Sequence, residues 1–178
     1  MSQVTYQIDP AHSAAHFSVR HMMISNVRGD FTKLSGTVLL DAGTPANSAV
    51  EALIEAASID TREAQRDAHL KSADFFEVEK YREIAFRSKA VAPAGDGELR
   101  VTGDLTIHGV TREVTLQVEG PTPEVKDPWG NLRIGATATT RINRKDFGLG
   151  FNVALEAGGV LVGEEIRISI DIEAIRQA

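Results

Sequence analysis

The stretch IRISIDIE, residues 166–173, decides the fold class, because four isoleucines alternate in it with four polar residues. A period of two places one set of side chains on each face of an extended chain, which is typical of a β-strand with one buried face. The same alternation recurs in LRIGATATTRI (132–142) and in LRVTGDLTI (99–107). The sequence therefore predicts long strands in these three places.

Shorter apolar alternations predict further strands. They lie at 15–19, at 38–40 after a break at Gly36, at 49–57, at 84–88 and at 114–118. The last of these follows a turn at 108–110 and forms a hairpin with strand 99–107. Residues 49–57 also have high helix propensity, but the neighbouring segments are strands, so we favour a strand there.

A single segment has a helical pattern. Thr61 is the expected N-cap, Ala64, Ala68 and Leu70 follow it, and the pattern fades at 72–76. Segments rich in Pro and Gly at 93–97 and 120–130 are expected to be loops between strands.

About eight strands, one short helix and no alternation of strands with helices indicate an all-β fold. Several strands are long, and long free edges promote aggregation, which favours a sheet closed on itself. We therefore predict an eight-stranded antiparallel barrel with a short flanking helix, in which residues 1–178 form a single domain. A barrel of this size is either filled by its own side chains or holds one small ligand.

Composition narrows the classes of function. Lys and Arg number 19 against 25 Asp and Glu, and the net charge of −6 disfavours nucleic acid as a partner. The chain has no Cys and no long apolar run, which argues against thiolate chemistry and a membrane span. The first residues do not resemble a secretory leader, so the sequence as given predicts a cytoplasmic protein, or a periplasmic one if a leader was removed.

The predicted inward positions include many small residues, namely Ala15, Ala52, Ala56, Gly103, Ala136 and Ala138. Aromatic residues make up only 6% of the chain, so few large side chains are available to fill the space. Protein interiors tolerate few voids. Two alternatives follow: side chains from other strands pack the interior, or an apolar ligand occupies it.

Polar residues offer weaker signals. His12 and His16 have a spacing that would suit zinc on a helix but not on a strand, and no metal site is predicted. Asp67 and His69 are a possible acid and base, although residues two apart on a helix point to different sides. Trp129 is expected to cover the barrel end at a tight turn.

An ordered series of motifs resembles one known family, the YceI-like family, over residues 6–174. The motifs are DPAHSAAHFSVRH (9–21), VRGDF (27–31), SIDT (58–61), RDAHLKSADFF (66–76), GDLTIHGVT (103–111), DPWG (127–130), INRKDFGL (142–149) and VGEEIRISI (162–170). The resemblance implies a lipocalin-like barrel with an internal hydrophobic tunnel for a long-chain polyisoprenoid or isoprenoid-quinone-like lipid, serving transport, storage or metabolism. It also implies a homodimer.

Other long-chain lipids such as fatty acids or fatty amides are alternative cargo, and an enzyme acting on such a lipid is the rival class. We predict no catalytic residue, no metal and no cofactor apart from the bound lipid. The expected tunnel wall comprises Phe17, Val19, Phe31, Ile54, Phe86, Leu105, Ile107, Ile134, Ala136, Ala138, Phe147, Phe151, Ile168 and Ile170. The head-group candidates are His12, Arg28, His69 and Arg144.

Overall fold

The computed structural model describes residues 3–155 and 159–178. Within these residues, twelve strands form one antiparallel sheet. The strands are β1 (Gln3–Ile8), β2 (Ala14–His21), β3 (Ser25–Phe31), β4 (Leu34–Asp41), β5 (Ala49–Glu55), β6 (Ile59–Asp60), β7 (Glu83–Gly95), β8 (Glu98–Ile107), β9 (Val110–Glu119), β10 (Val125–Lys126), β11 (Leu132–Asn143) and β12 (Val162–Arg176).

Eight of these strands close into a ring in the order β11, β9, β8, β7, β5, β4, β1 and β12. The ring is completed by the β11–β12 ladder, which runs from Arg133 opposite Ile175 to Asn143 opposite Glu165. The two segments whose alternation is clearest in the sequence are therefore direct neighbours. The predicted all-β, eight-stranded antiparallel barrel is confirmed.

Strands β2, β3 and β6 lengthen the barrel at one end. Strand β2 follows β1 along the same edge of β12, since Ile8 pairs with Ala174 and Ala14 pairs with Asp171. Strand β3 pairs with β2, and β6 pairs with β3. The chain thus covers both ends of β12 with two strands joined by a short helical turn.

The ladder between β9 and β11 is short. It pairs only Thr137–Thr139 with Gln117–Glu119. Beyond it, the Thr140 hydroxyl donates to the Thr115 carbonyl at 2.9 Å, so a side chain bridges the two strands where backbone pairing stops.

The flanking helix α1 (Ala64–Lys71) forms where the sequence predicts it, but its N-cap is Glu63, whose carboxylate accepts the Arg66 N–H. The prediction of Thr61 as N-cap is wrong. Thr61 is buried, and both its N–H and its hydroxyl donate to Asp67 Oδ1. The hydroxyl therefore fastens the helix to β6 and does not accept a helix N–H.

Two predicted interruptions are continuous strand. Gly36 lies inside β4, with φ of 152°, and a Cβ there would fall 2.1 Å from the Glu51 carbonyl oxygen. The glycine allows a close approach between β4 and β5. Residues 93–95 of the expected 93–97 loop continue β7 through a bulge. In the predicted strand 49–57, the strand ends at Glu55 and the chain continues as a 3-10 turn.

The largest apolar core lies at the end of the barrel that carries α1. It includes Phe31, Ile59, Ile107 and Phe147, all less than one-tenth exposed, with Phe76 packed against it. The rings of Phe31 and Phe76 meet edge to face at 5.6 Å. The segment that follows α1 therefore covers this end of the barrel.

Candidate ligand-binding cavity

An elongated cavity of about 260 Å³ occupies the barrel interior. Its lining on β12 extends from Val162 to Ile172, ten positions that span about 33 Å of strand at 3.3 Å per residue. At the helix end it reaches Leu70 and Phe75, and at the opposite end it reaches Leu99 and Pro121. An engineered cavity of about 150 Å³ with a similar apolar lining binds benzene or xenon, so this cavity has room for an apolar ligand.

The wall of the cavity is almost entirely carbon. Among the described residues, the polar side chains that border it are His16, Ser48, Thr140 and Arg144. Each is engaged by the protein: His16 contacts Asp30 and Asp171, Ser48 Oγ accepts the Asp41 N–H, and Thr140 donates to Thr115. A ligand in the middle of the cavity therefore gains van der Waals contacts and the removal of its apolar surface from water.

Two glycines keep aromatic rings flat against the wall. A Cβ on Gly29 would lie 2.5 Å from the tip of the Phe17 ring, and a Cβ on Gly103 would lie 2.7 Å from the tip of the Phe86 ring. Both rings therefore occupy space that a side chain would take on the neighbouring strand. This arrangement leaves the barrel axis open although two large side chains border it.

Most of the predicted wall residues border the cavity. The twelve that do so are Phe17, Val19, Phe31, Ile54, Phe86, Leu105, Ile107, Ile134, Ala136, Ala138, Ile168 and Ile170. All but Phe31 were inferred from strand phase, which the structure reproduces.

Phe147 and Phe151 do not line the cavity, so their placement in the wall is wrong. Phe147 is 1% exposed and packs in the core at the helix end. The Phe151 ring contacts His69 at 4.9 Å and Phe75 at 5.2 Å between centroids. Neither residue belongs to a regular strand, so alternation gave no information about its direction.

Arg144 is the one head-group candidate that borders the cavity. It is 3% exposed, and its guanidinium donates to the backbone carbonyls of Leu149, Phe151, Val162 and Gly163. Burial lowers the pKa of Arg144 below its ordinary value, and the nearby Glu164 carboxylate opposes this effect. The side chain closes this end of the cavity by tying two segments together.

The other three head-group candidates do not line the cavity. His12 faces Glu173 at 3.6 Å, and His69 Nε2 is 2.9 Å from Asp74 Oδ2. Arg28 lies on the outer face of the barrel, where it borders a groove of about 630 Å³ with Arg141 and Arg167.

The other polar signals have structural partners. Asp67 binds Thr61 while His69 contacts Asp74, so the two do not form an acid and base pair. No group of three or more potential ligands in the described part of the chain is arranged to hold a metal ion. Trp129 is 81% exposed and does not cover the barrel end as expected.

A cluster of charges beside the Trp129 turn fastens the N-terminal segment to β11. Arg133 donates to Asp9 at 2.8 Å and to Asp127 at 2.7 Å. The Arg133 guanidinium lowers the pKa of Asp127 to about 2 and also lowers that of Asp9. The arginine's role is structural, and alternation placed it on the outer face without showing its partners.

The sequence analysis missed the part of the wall that comes from outside the barrel strands. Leu70, Phe75 and Phe76 border the cavity from the end of α1 and the turn after it. The two adjacent phenylalanines in RDAHLKSADFF are a signal for this part of the wall. They would be exposed to water if the segment did not cover an apolar surface.

The sequence of the barrel matches a known protein family over most of its length. The YceI-like domain matches residues 6–174. The chain belongs to the YceI-like family. A UPF0312 protein of Staphylococcus aureus is 36% identical to this YceI-like protein over 168 residues, which is 94% of this chain and 95% of the relative.

Solved structures support the same conclusion about the fold. Burkholderia cenocepacia BcnA has a TM-score of 0.81 and 25% identity, and the alignment covers 93% of this YceI-like chain and 98% of BcnA. A polyisoprenoid binding domain from Saccharophagus degradans has a TM-score of 0.71 at 16% identity, covering 98% and 99% of the two chains. In the described residues, no helix has the length and apolar character needed to cross a bilayer.

Proposed function

We propose that this YceI-like protein binds a long-chain polyisoprenoid or isoprenoid-quinone-like lipid along the barrel axis and acts as a carrier or store for it. The observation that carries the proposal is the elongated cavity with an all-carbon middle. The polyisoprenoid-binding description of the Saccharophagus degradans domain, which shares the fold, supports this ligand class.

The driving force is removal of apolar surface from water. Each isoprene unit adds five carbons, and at about 0.8 kcal/mol per buried methylene-sized group the gross gain is about 4 kcal/mol per unit. A few units would exceed the strongest known non-covalent affinities, so chain ordering and incomplete burial offset much of this gain. Affinity should therefore level off as the chain lengthens.

Arg144 is the residue that we assign to a polar head. Four of the five N–H groups of its guanidinium donate to backbone carbonyls, which leaves one N–H on Nη2 for an oxygen of the cargo. A head group at this position would leave the chain to extend toward Leu99 and Pro121 at the other end of the cavity.

Binding without catalysis is favoured over an enzyme acting on the lipid. The polar side chains at the cavity are already bonded to the protein, and the candidate pair Asp67 and His69 is separated by different partners. A carrier returns its cargo chemically unchanged, whereas an enzyme yields a product whose formation stops when His21 or His69 is replaced by alanine.

The test is identification of what copurifies with the protein. Organic extraction followed by mass spectrometry should give one stoichiometric lipid, or a series spaced by isoprene units. A fatty acid or fatty amide would replace the proposed cargo class, and an empty extract from protein that also fails to bind added polyprenol would refute the carrier function. Native mass spectrometry of the same sample tests the proposed homodimer.

A further inference from the structure

The turn between β2 and β3 exposes three consecutive apolar residues. Met22, Met23 and Ile24 are 43%, 55% and 76% exposed. Val153, 47% exposed, belongs to the same surface, since Leu161 receives the Met22 N–H at its carbonyl and donates its own N–H to Val153. Contiguous exposed apolar residues of this kind mark a surface that contacts a partner or a membrane.

The backbone of this turn makes its composition more unusual. Met22 and Met23 have φ of 51° and 65°, and the Ile24 N–H closes the turn onto the His21 carbonyl. Two positive φ values in a hairpin turn favour Asn and Gly, and other residues are strained there. Two methionines therefore occupy positions where both local backbone preference and exposure to water oppose them.

Uncompensated positive charge lies directly behind the tip. Arg20 donates to the Met23 carbonyl, while Arg28 and Arg167 both stand beside Ser18 on adjacent strands. Within the described residues, none of these three arginines has a carboxylate partner. They are cations without an acidic contact on a chain whose net charge is −6.

Several acidic side chains on the same strands contact residues other than these three arginines. His16 contacts Asp30 and Asp171. Near the tip on β12, Glu164 is paired with Lys145 and Glu165 with Arg141. The three arginines therefore present their charge outward, and Arg28 and Arg167 border the outer groove of about 630 Å³.

The tip is also adjacent to one end of the cavity. Val19 and Val162 line the cavity, and Val162 pairs with His21, the residue that precedes the tip. A surface that receives the tip would therefore lie against the end of the cavity closed by Arg144.

We propose that the Met22–Ile24 tip inserts into an anionic phospholipid bilayer while Arg20, Arg28 and Arg167 contact its head groups. The combination of an apolar tip with a basic collar fits the interface of such a bilayer, which is apolar inside and negative at its surface. The proposal rests on the proposed function, because docking would hold the cavity end against the bilayer from which the cargo lipid comes.

The test is flotation of the protein with vesicles of equimolar phosphatidylglycerol and phosphatidylcholine, compared with vesicles of phosphatidylcholine alone. The M22N/M23G variant replaces the two methionines by the residues that the backbone of the turn favours, so it should fold at least as stably as the wild type. Its binding to the anionic vesicles should be weaker by about tenfold or more. The R28Q/R167Q variant should lose about fivefold for each arginine on the anionic vesicles.

The matched control is Trp129→Ser, which removes a more exposed apolar side chain at a different turn and should leave vesicle binding unchanged. Equal binding of M22N/M23G and wild type, or loss of binding in the Trp129 variant alone, would overturn the proposal. Loss of a dimer in M22N/M23G with no change on vesicles would assign the tip to a second copy of the chain and would also overturn it.

Lipid content measured on the same samples separates docking from cargo binding. M22N/M23G should retain copurified lipid, because the tip does not line the cavity. A wild-type protein that holds lipid but ignores the vesicles would disprove docking and leave the carrier function intact, whereas a wild-type protein that docks but never holds lipid would disprove the carrier function.

Discussion

Replacement of Arg144 by methionine should destabilise the barrel far more than replacement of Arg141, an exposed arginine on the strand that precedes it. The Arg144 side chain is 3% exposed and serves four backbone carbonyls. Of these carbonyls, the one at Val162 also accepts from Asn152 at 2.7 Å, while no second side-chain donor in residues 3–155 and 159–178 reaches the other three.

The expected loss follows from the contacts. Each buried carbonyl left without its donor costs about 1–3 kcal/mol. Removal of the buried guanidinium also ends the cost of its desolvation, which offsets part of the loss. Three carbonyls lose their side-chain donor, and the ended desolvation cost offsets part of that loss, so we expect the free energy of unfolding to fall by about 3–5 kcal/mol.

The assay is urea unfolding of lipid-free protein followed by circular dichroism, because bound cargo would stabilise the folded state by itself. Arg141→Met is the control, since Arg141 is exposed and forms a single ion pair with Glu165 at 3.3 Å, worth about 0–1 kcal/mol. If the two variants agree within about 1 kcal/mol, Arg144 does not hold the segments together in the way inferred from its hydrogen bonds.

Three further predictions concern the cavity, the acid stability and the ring packing. Ala138→Phe should shorten the longest lipid that native mass spectrometry detects while the melting temperature stays within a few degrees, and unchanged cargo would exclude Ala138 from the contact surface. Pairing with Arg133 lowers the pKa of Asp127 from 3.8 to about 2. The stability due to this pairing is fully present above the pKa of the unfolded state and is lost as the pH falls toward 2. Arg133→Gln should therefore weaken the dependence of the free energy of unfolding on pH, measured between pH 5 and pH 2. Gly29→Ala should cost about 1–3 kcal/mol in urea unfolding, because its Cβ would overlap the Phe17 ring, and a neutral result would mean that the ring moves freely.

Strand phase was predictable from the sequence because the two faces of this barrel differ in chemistry. Ile168, Ile170, Ala136 and Ala138 alternate with polar residues, and all four border the cavity. The alternation depends only on neighbouring residues along one strand, so it survives without knowledge of the partner strands.

Features that depend on contacts between distant segments were not predictable. Gly36 has the pattern of a strand break, yet it accommodates the Glu51 carbonyl of a neighbouring strand. Phe147 and Phe151 lie close together in the sequence but occupy different environments, because the chain leaves the regular strand before both. Arg144 resembles a surface arginine until the four carbonyls around it are known.

The carbon-only middle of the cavity also determines how its preference for cargo can change. Hydrogen bonds discriminate between ligands by matching donors with acceptors. A surface without hydrogen-bonding groups distinguishes ligands only by their width and length. Replacing Ala136 or Ala138 by a larger or smaller residue changes the width of the cavity without disturbing any polar network. The same barrel can therefore acquire a different ligand through a few substitutions that change side-chain volume.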